Sequence, residues 1–333
     1  MGDRPWHDVP MRWFSRGNKD DRSPVAGVPS GPPLDPDPVF PVLSREDAAT
    51  LMVLARETFA EHGRETVPNG SGALVGDGHV HGLANLAATL STVPRNRWSA
   101  VVRRHVATMV RANDTVDPTS LDEARAFLLP KVRMVQDIPL PVPSYAPEVL
   151  PGVLAVAALD YPTHVSELLA DARIAELGGW EAVREVAWQN LRQLPAPGRQ
   201  DVAADPERDD ATVHVLTSDD FFGASRVLVL DEVLAGIGVE RPSHGVLVCI
   251  PNRHLLALHV LSGMGVIAAM NVMVQMARGE CDARPGPVSP HVYYRAVDGQ
   301  TQQVTRVDPD QGSVAVEVIG PLHKAFVGLG LIQ

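Results

Sequence analysis

An α+β fold of mixed or antiparallel sheets, with helices packed on one face, is predicted by three observations on this 333-residue chain. Segments of helical period alternate with short apolar runs in no regular βαβ rhythm. Turn signals such as Gly-Asp-Gly at 76–78 and Pro-Asn-Arg at 251–253 join neighbouring runs directly, as hairpins require. The last third, finally, reads β-α-β-β-α-β, which is the order of a split βαβ sheet.

The elements follow in order. Residues 1–41 hold nine prolines and are read as a disordered Pro-rich leader, because proline removes donors and breaks helices. Within it Met11-Arg-Trp-Phe-Ser-Arg16 forms a basic and aromatic cluster, taken here as part of the tail. An N-terminal α+β unit is expected over 42–150. It opens at Ser44, a helix cap with Asp47 three residues on, and Leu51, Met52, Ala55 and Phe59 then share one face as far as the stop at Gly63. Ala73–Val75 and His79–Leu83 make a hairpin, and a helix follows from about Leu83. Trp98, Val101, Val102, His105, Val106 and Met109 form the buried stripe of a further helix. A short helix is predicted from Ser120 to Pro130, and the prolines at 139, 141, 143, 147 and 151 then impose extended chain.

Residues 151–210 are expected to connect the two units, with a strand at Val153–Leu159, an amphipathic helix at Trp180–Leu194 and a linker from Pro195 to Ala211. A C-terminal α+β unit spans 211–333. In it Val213–Leu216 is a strand and Ser218 caps a helix running to about Leu234. Strands at Gly245–Ile250 and His254–Leu261 flank the Pro-Asn-Arg turn, Val266–Ala277 is a Met-rich helix, and His291–Val297 and Ser313–Ile319 are further strands. The methionines at 264, 270, 273 and 276 read as core filling.

Charge and composition narrow the function. With 29 basic against 40 acidic side chains the net charge is −11, so the chain does not read as a nucleic-acid coat, which needs Lys and Arg against phosphates. The longest aliphatic runs are broken by Gly, Arg or His, so no transmembrane helix and no integral membrane association are expected. Two cysteines, Cys249 and Cys281, form no disulfide framework and no CxxC pair, which suits a reduced, cytoplasmic setting.

Runs in the second half carry a resemblance. Ser218-Asp-Asp-Phe-Phe-Gly-Ala-Ser-Arg226, Val248-Cys-Ile-Pro-Asn-Arg-His254, Pro287-Val-Ser-Pro290 and Trp188-Gln-Asn-Leu191 together resemble the uncharacterised bacterial family called domain of unknown function fourteen-forty-four. The likeness covers roughly 44 to 300. It implies a bacterial, cytosolic α+β protein and brings no activity, cofactor or partner.

Four constellations are weighed for chemistry. Gly263-Met-Gly265-Val-Ile-Ala268 has dinucleotide-type glycine spacing, but Glu280 and Asp282 fall in an expected loop and the preceding strand belongs to a hairpin, so the glycines are read as a tight strand-to-helix turn. His79 and His81 share a strand face with Asp77 nearby, and a third metal ligand would have to be His105, which sits on an apolar stripe; no metal is assigned. Ser225 with His254 or His259 and Asp231 has the residue types of a nucleophile, base and orienting acid, so a serine-type hydrolase using Ser225 is the alternative reading, although the GxSxG elbow is missing. Arg253 at the tip of its turn is expected to be displayed, and a guanidinium fork there grips carboxylates or phosphates. The leading expectation is therefore a non-enzymatic binding or adaptor protein that contacts a protein partner or small anionic ligand through Arg226, Asn252, Arg253 and His254, with no cofactor.

Overall fold

The computed structural model describes residues 33–77, 79–138, 141–162, 164–239, 241–307 and 313–333. The Met11–Arg16 cluster and most of the Pro-rich leader lie outside the described residues. Helices and antiparallel sheets combine in an α+β architecture.

The N-terminal core is built on helix α1 (Arg45–Glu61), a three-stranded sheet of β1 (Val67–Pro68), β2 (Ala73–Gly76) and β3 (His79–Gly82), and helices α2 (Ala84–Leu90) and α3 (Trp98–Asn113). Ser44 caps α1 as its sequence signals: its Oγ accepts from the Asp47 amide at 3.1 Å. Asp77 closes the β2–β3 turn at φ 51°, a conformation that Asp tolerates better than most residues. Leu51, Ala55, Phe59, Leu74, Leu86, Val102 and Val106 are enclosed together, and Phe40 and Leu43, ahead of the first helix, join them.

Two larger sheets and one two-stranded hairpin follow among the described residues. The smaller is formed by β4 (Leu128–Met134), β5 (Glu148–Leu150), β6 (Val153–Asp160) and β7 (Val165–Glu167); β4 pairs along one edge of β6, while β5 and β7 pair at its two ends. The joint expected at 150/151 thus falls between two hydrogen-bonded strands. The short helix expected from Ser120 to Pro130 ends early, as α4 (Leu121–Ala124), and the chain continues as β4. Pro130 has no amide to donate but occupies a strand paired with β6 alone, where a missing donor is tolerated. Helices α5 (Asp171–Glu176) and α6 (Trp180–Gln193) cover this sheet with Ile174, Val183 and Ala187.

The larger sheet has six antiparallel-paired strands in the order β13-β12-β10-β11-β9-β8. They are β8 (Gly198–Ala203), β9 (Thr212–Thr217), β10 (Val246–Cys249), β11 (Leu255–Val260), β12 (Val292–Arg295) and β13 (Thr301–Gln303). Since β11 is antiparallel to both β9 and β10 and lies between them, β9 and β10 run parallel, giving the split βαβ arrangement. The linker expected over Pro195–Ala211 is corrected by β8: an exposed edge strand needs no alternating apolar face, so Arg199, Gln200 and Asp201 pair with β9 without any hydrophobic signal.

One face of this sheet, with Leu247, Cys249, Ala257 and Tyr294, packs on α8 (Val266–Ala283) and α9 (Gly320–Gly328). Met270, Met273 and Met276 fill that layer, whereas Met264 stays half exposed. The other face, with Val246, Val248 and Leu256, meets β4–β6 and α7 (Leu230–Gly236). A short hairpin of β14 (Thr305–Val307) and β15 (Val314–Val316) completes the chain's strands among the described residues. No helix of the described residues is long and apolar enough to cross a membrane.

Candidate functional site

The helix expected from Ser218 to Leu234 is broken. Residues 219–220 form a bend and 221–223 a turn, Ala224–Val229 is a 3-10 segment, and α7 begins only at Leu230. The cause lies at Gly223, where a Cβ would approach the His254 carbonyl carbon and oxygen to 2.5 Å, so this backbone is pressed against the 251–254 turn. Ser218 is not a helix cap: its Oγ accepts from Arg226 Nε at 3.0 Å.

Arg226 is committed to the interior. Its Nη2 donates to the Pro195 carbonyl at 2.7 Å and to Asp220 Oδ2 at 3.0 Å, and its side chain is only 7% exposed. Asn252 is equally engaged, accepting from the His254 amide at 3.0 Å and donating to Glu280 Oε2 at 3.3 Å. His254 Nδ1 lies 2.8 Å from the Asp220 carbonyl and 3.1 Å from that of Ser218. Carbonyl oxygens only accept, so the proton sits on Nδ1, leaving Nε2 to accept from Arg253 Nε at 3.0 Å. Burial, then the neighbouring Arg253 charge, hold the imidazole below its ordinary pKa, in keeping with that neutral tautomer.

Arg253 is not displayed on the turn tip as its sequence context suggests. Its guanidinium lies over the Phe221 ring, 4.1 Å from the centroid, and the stem packs beside Gly286, which sits at φ 74°. Among the described residues no carboxylate lies within ion-pairing range of it, and burial lowers its pKa with no acid opposing. A half-buried guanidinium held by a ring and a neutral imidazole keeps its Nη donors available, which is the geometry of an anion contact.

The residues of the hydrolase reading are each engaged elsewhere. Ser225 is 1% exposed, and its Oγ accepts from the Val132 amide at 3.3 Å across to β4. Asp231 binds Arg295 at 2.7 and 3.1 Å, and His259 Nδ1 meets the Thr212 carbonyl at 2.9 Å. At the Gly263–Gly265 turn, the α8 N-terminus receives the chain's own carboxylate: Asp210 Oδ2 accepts from the Gly265 amide at 3.1 Å, and a Cβ at Gly265 would run into the Asp210 backbone. The glycines serve that crossing. The His81 ring lies tilted against Phe59 with centroids 4.5 Å apart, Asp77 pairs with Arg64, and no group of three metal-type side chains is assembled among the described residues. Both cysteines are free, with their thiols pushed up to about 12 by burial.

Sequence reasoning missed Phe221, the platform for Arg253, and the role of Gly286; the aromatic pair Phe221-Phe222 ahead of a turn was the available signal. Comparisons with protein-family models, curated proteins and solved structures find no match to this chain.

Proposed function

We propose that this chain is a cytosolic, non-enzymatic binding protein that takes a small anionic ligand, or an acidic group of a protein partner, on Arg253. The observation that carries this reading is the half-buried guanidinium without a described carboxylate partner. Leaving such a charge uncompensated costs free energy, only part of which the Phe221 ring returns, at about 0.5–2 kcal/mol. A bound anion supplies the missing compensation. Arg226, Asn252 and His254 then hold the contact in place: Asn252 fixes the turn, His254 orients the Arg253 Nε–H, and Arg226 anchors the Asp220 segment whose carbonyl locks His254.

Calorimetric titration with inorganic phosphate tests it. Arg253→Ala is expected to lower affinity at least about tenfold, the scale of one charge-assisted hydrogen bond, and Arg253→Lys to restore only part because it lacks the planar fork. Equal phosphate binding by wild type and Arg253→Ala overturns the reading.

A further inference from the structure

The six-stranded sheet ends on β8, and among the described residues no strand pairs with its outer edge. β8 matches β9 at every position from Gly198↔Thr217 to Ala203↔Thr212, without a bulge. Gly198, Arg199, Gln200, Asp201 and Ala203 are all exposed. Just beyond, the Ala204 amide donates to the Ala211 carbonyl at 2.8 Å, which sets the phase of the ladder. Bonded and non-bonded positions alternate along an antiparallel pair, so Gly198, Gln200 and Val202 turn their main-chain groups to β9. Arg199, Asp201 and Ala203 turn theirs outward, as an open edge does. Arg199 and Asp201 also share a sheet face and bond each other, Nε to Oδ1 at 2.8 Å and Nη2 to Oδ2 at 2.7 Å. Those bonds are the first influence holding the Asp201 carboxyl down to about 2, so both residues are charged at neutral pH.

We propose that β8 pairs with β8 of a second copy of this chain, antiparallel about a twofold axis at Gln200, joining two six-stranded sheets into one. A twofold contact requires a self-complementary surface. The run Arg199-Gln200-Asp201 provides one, with opposite charges equidistant from its centre. Centred on Gln200, each Arg199 lies opposite the partner's Asp201. Both are outward-facing positions, so every such pair exchanges two main-chain hydrogen bonds. Each guanidinium keeps its own carboxylate along the strand and gains the partner's across it, so the charges alternate in sign around the axis. The neighbouring registers lack this match. A centre on Asp201 sets that carboxylate against the partner's Asp201, and a centre on Arg199 opposes two guanidiniums; like charges directly opposite are destabilising. Charge on this edge therefore excludes the adjacent registers and admits one. Pro197, with no amide to donate, limits the ladder at its near end.

Sedimentation of the full chain over a concentration series, combined with amide hydrogen exchange followed by NMR, tests the pairing. The wild type is expected to pass from one copy to two as concentration rises. Where about a tenth of the chain remains monomeric, the Arg199 and Asp201 amides should exchange about tenfold more slowly than in dilute solution. The Gln200 and Val202 amides, already bonded to β9, should change little. Asp201→Arg should weaken the dimer about tenfold, because it sets guanidinium against guanidinium across the axis. Arg199→Asp/Asp201→Arg restores the alternation in the Gln200-centred register alone and should recover most of that loss. A chain that stays monomeric throughout overturns the proposal; if an added extended peptide then protects the same amides, the edge belongs to a peptide partner instead. A dimer whose Arg199 and Asp201 amides exchange unchanged overturns it as well, as does a charge-exchanged variant that associates no better than Asp201→Arg. The wild-type exchange pattern decides even where a substitution unfolds the chain.

Discussion

Replacing Arg226 by Met separates a supporting arginine from a contacting one. The native side chain donates to Ser218 Oγ, the Pro195 carbonyl and Asp220 Oδ2 at 3.0, 2.7 and 3.0 Å. Its side chain is 7% exposed and that of Asp220 21%, so the pair is largely out of water. Methionine keeps much of the apolar stem but leaves Asp220 with the Phe222 amide, at 2.8 Å, as its remaining described donor. Removing one partner of a buried pair costs roughly 3–5 kcal/mol, and the partial exposure of Asp220 places this case near 3. The companion Arg226→Met/Asp220→Asn should recover part of the loss, because it removes the stranded charge. Urea unfolding followed by circular dichroism measures both. A loss below about 1 kcal/mol in the single variant, or a collapse of phosphate affinity at undiminished stability, refutes the assignment of Arg226 to the framework.

Three further outcomes follow from the same geometry. Gly223→Ala has an ordinary helical φ of −53° to occupy, so its penalty is the clash with His254; overpacking of this kind costs roughly 1–3 kcal/mol, and a thermal melt indistinguishable from wild type would contradict it. Ser225→Ala strands the Val132 amide at a cost of about 1–3 kcal/mol, and a fluorophosphonate probe should leave wild-type Ser225 unlabelled; labelling lost in the variant would revive the hydrolase reading. Glu167 is raised by burial, the largest influence, yet Lys131 and Arg133 together hold it below its ordinary value near 4.5. A depressed folded pKa stabilises above that ordinary value and is lost as pH falls below it, so Glu167→Gln should flatten the acid limb of a stability–pH curve below about pH 4.5; an unchanged limb would contradict the pairing.

Elements marked by a helical apolar stripe, a continuous apolar run or a turn signal were legible in the sequence: α1 with its Ser44 cap, the β2–β3 hairpin, α3, β6, α6 and the β10-turn-β11-α8 run. Those that failed share a physical reason. β8 is an edge strand with polar residues on both faces, and β4 carries Pro130, so neither announces itself by alternation. The break after Ser218 is imposed by Gly223 meeting the His254 backbone, a contact between segments about thirty residues apart. At the candidate site the sequence singled out Arg226, Asn252, Arg253 and His254 and gave all four one contacting role. Only tertiary structure separates Arg226, turned inward to Asp220, from Arg253, laid on Phe221.

The most direct measurement is nitrogen-detected NMR of the arginine side chains during a phosphate titration. The Arg253 Nε signal, hydrogen-bonded to His254, should shift saturably with phosphate while that of Arg226 stays fixed. A titration in which Arg226 responds and Arg253 does not would contradict the account.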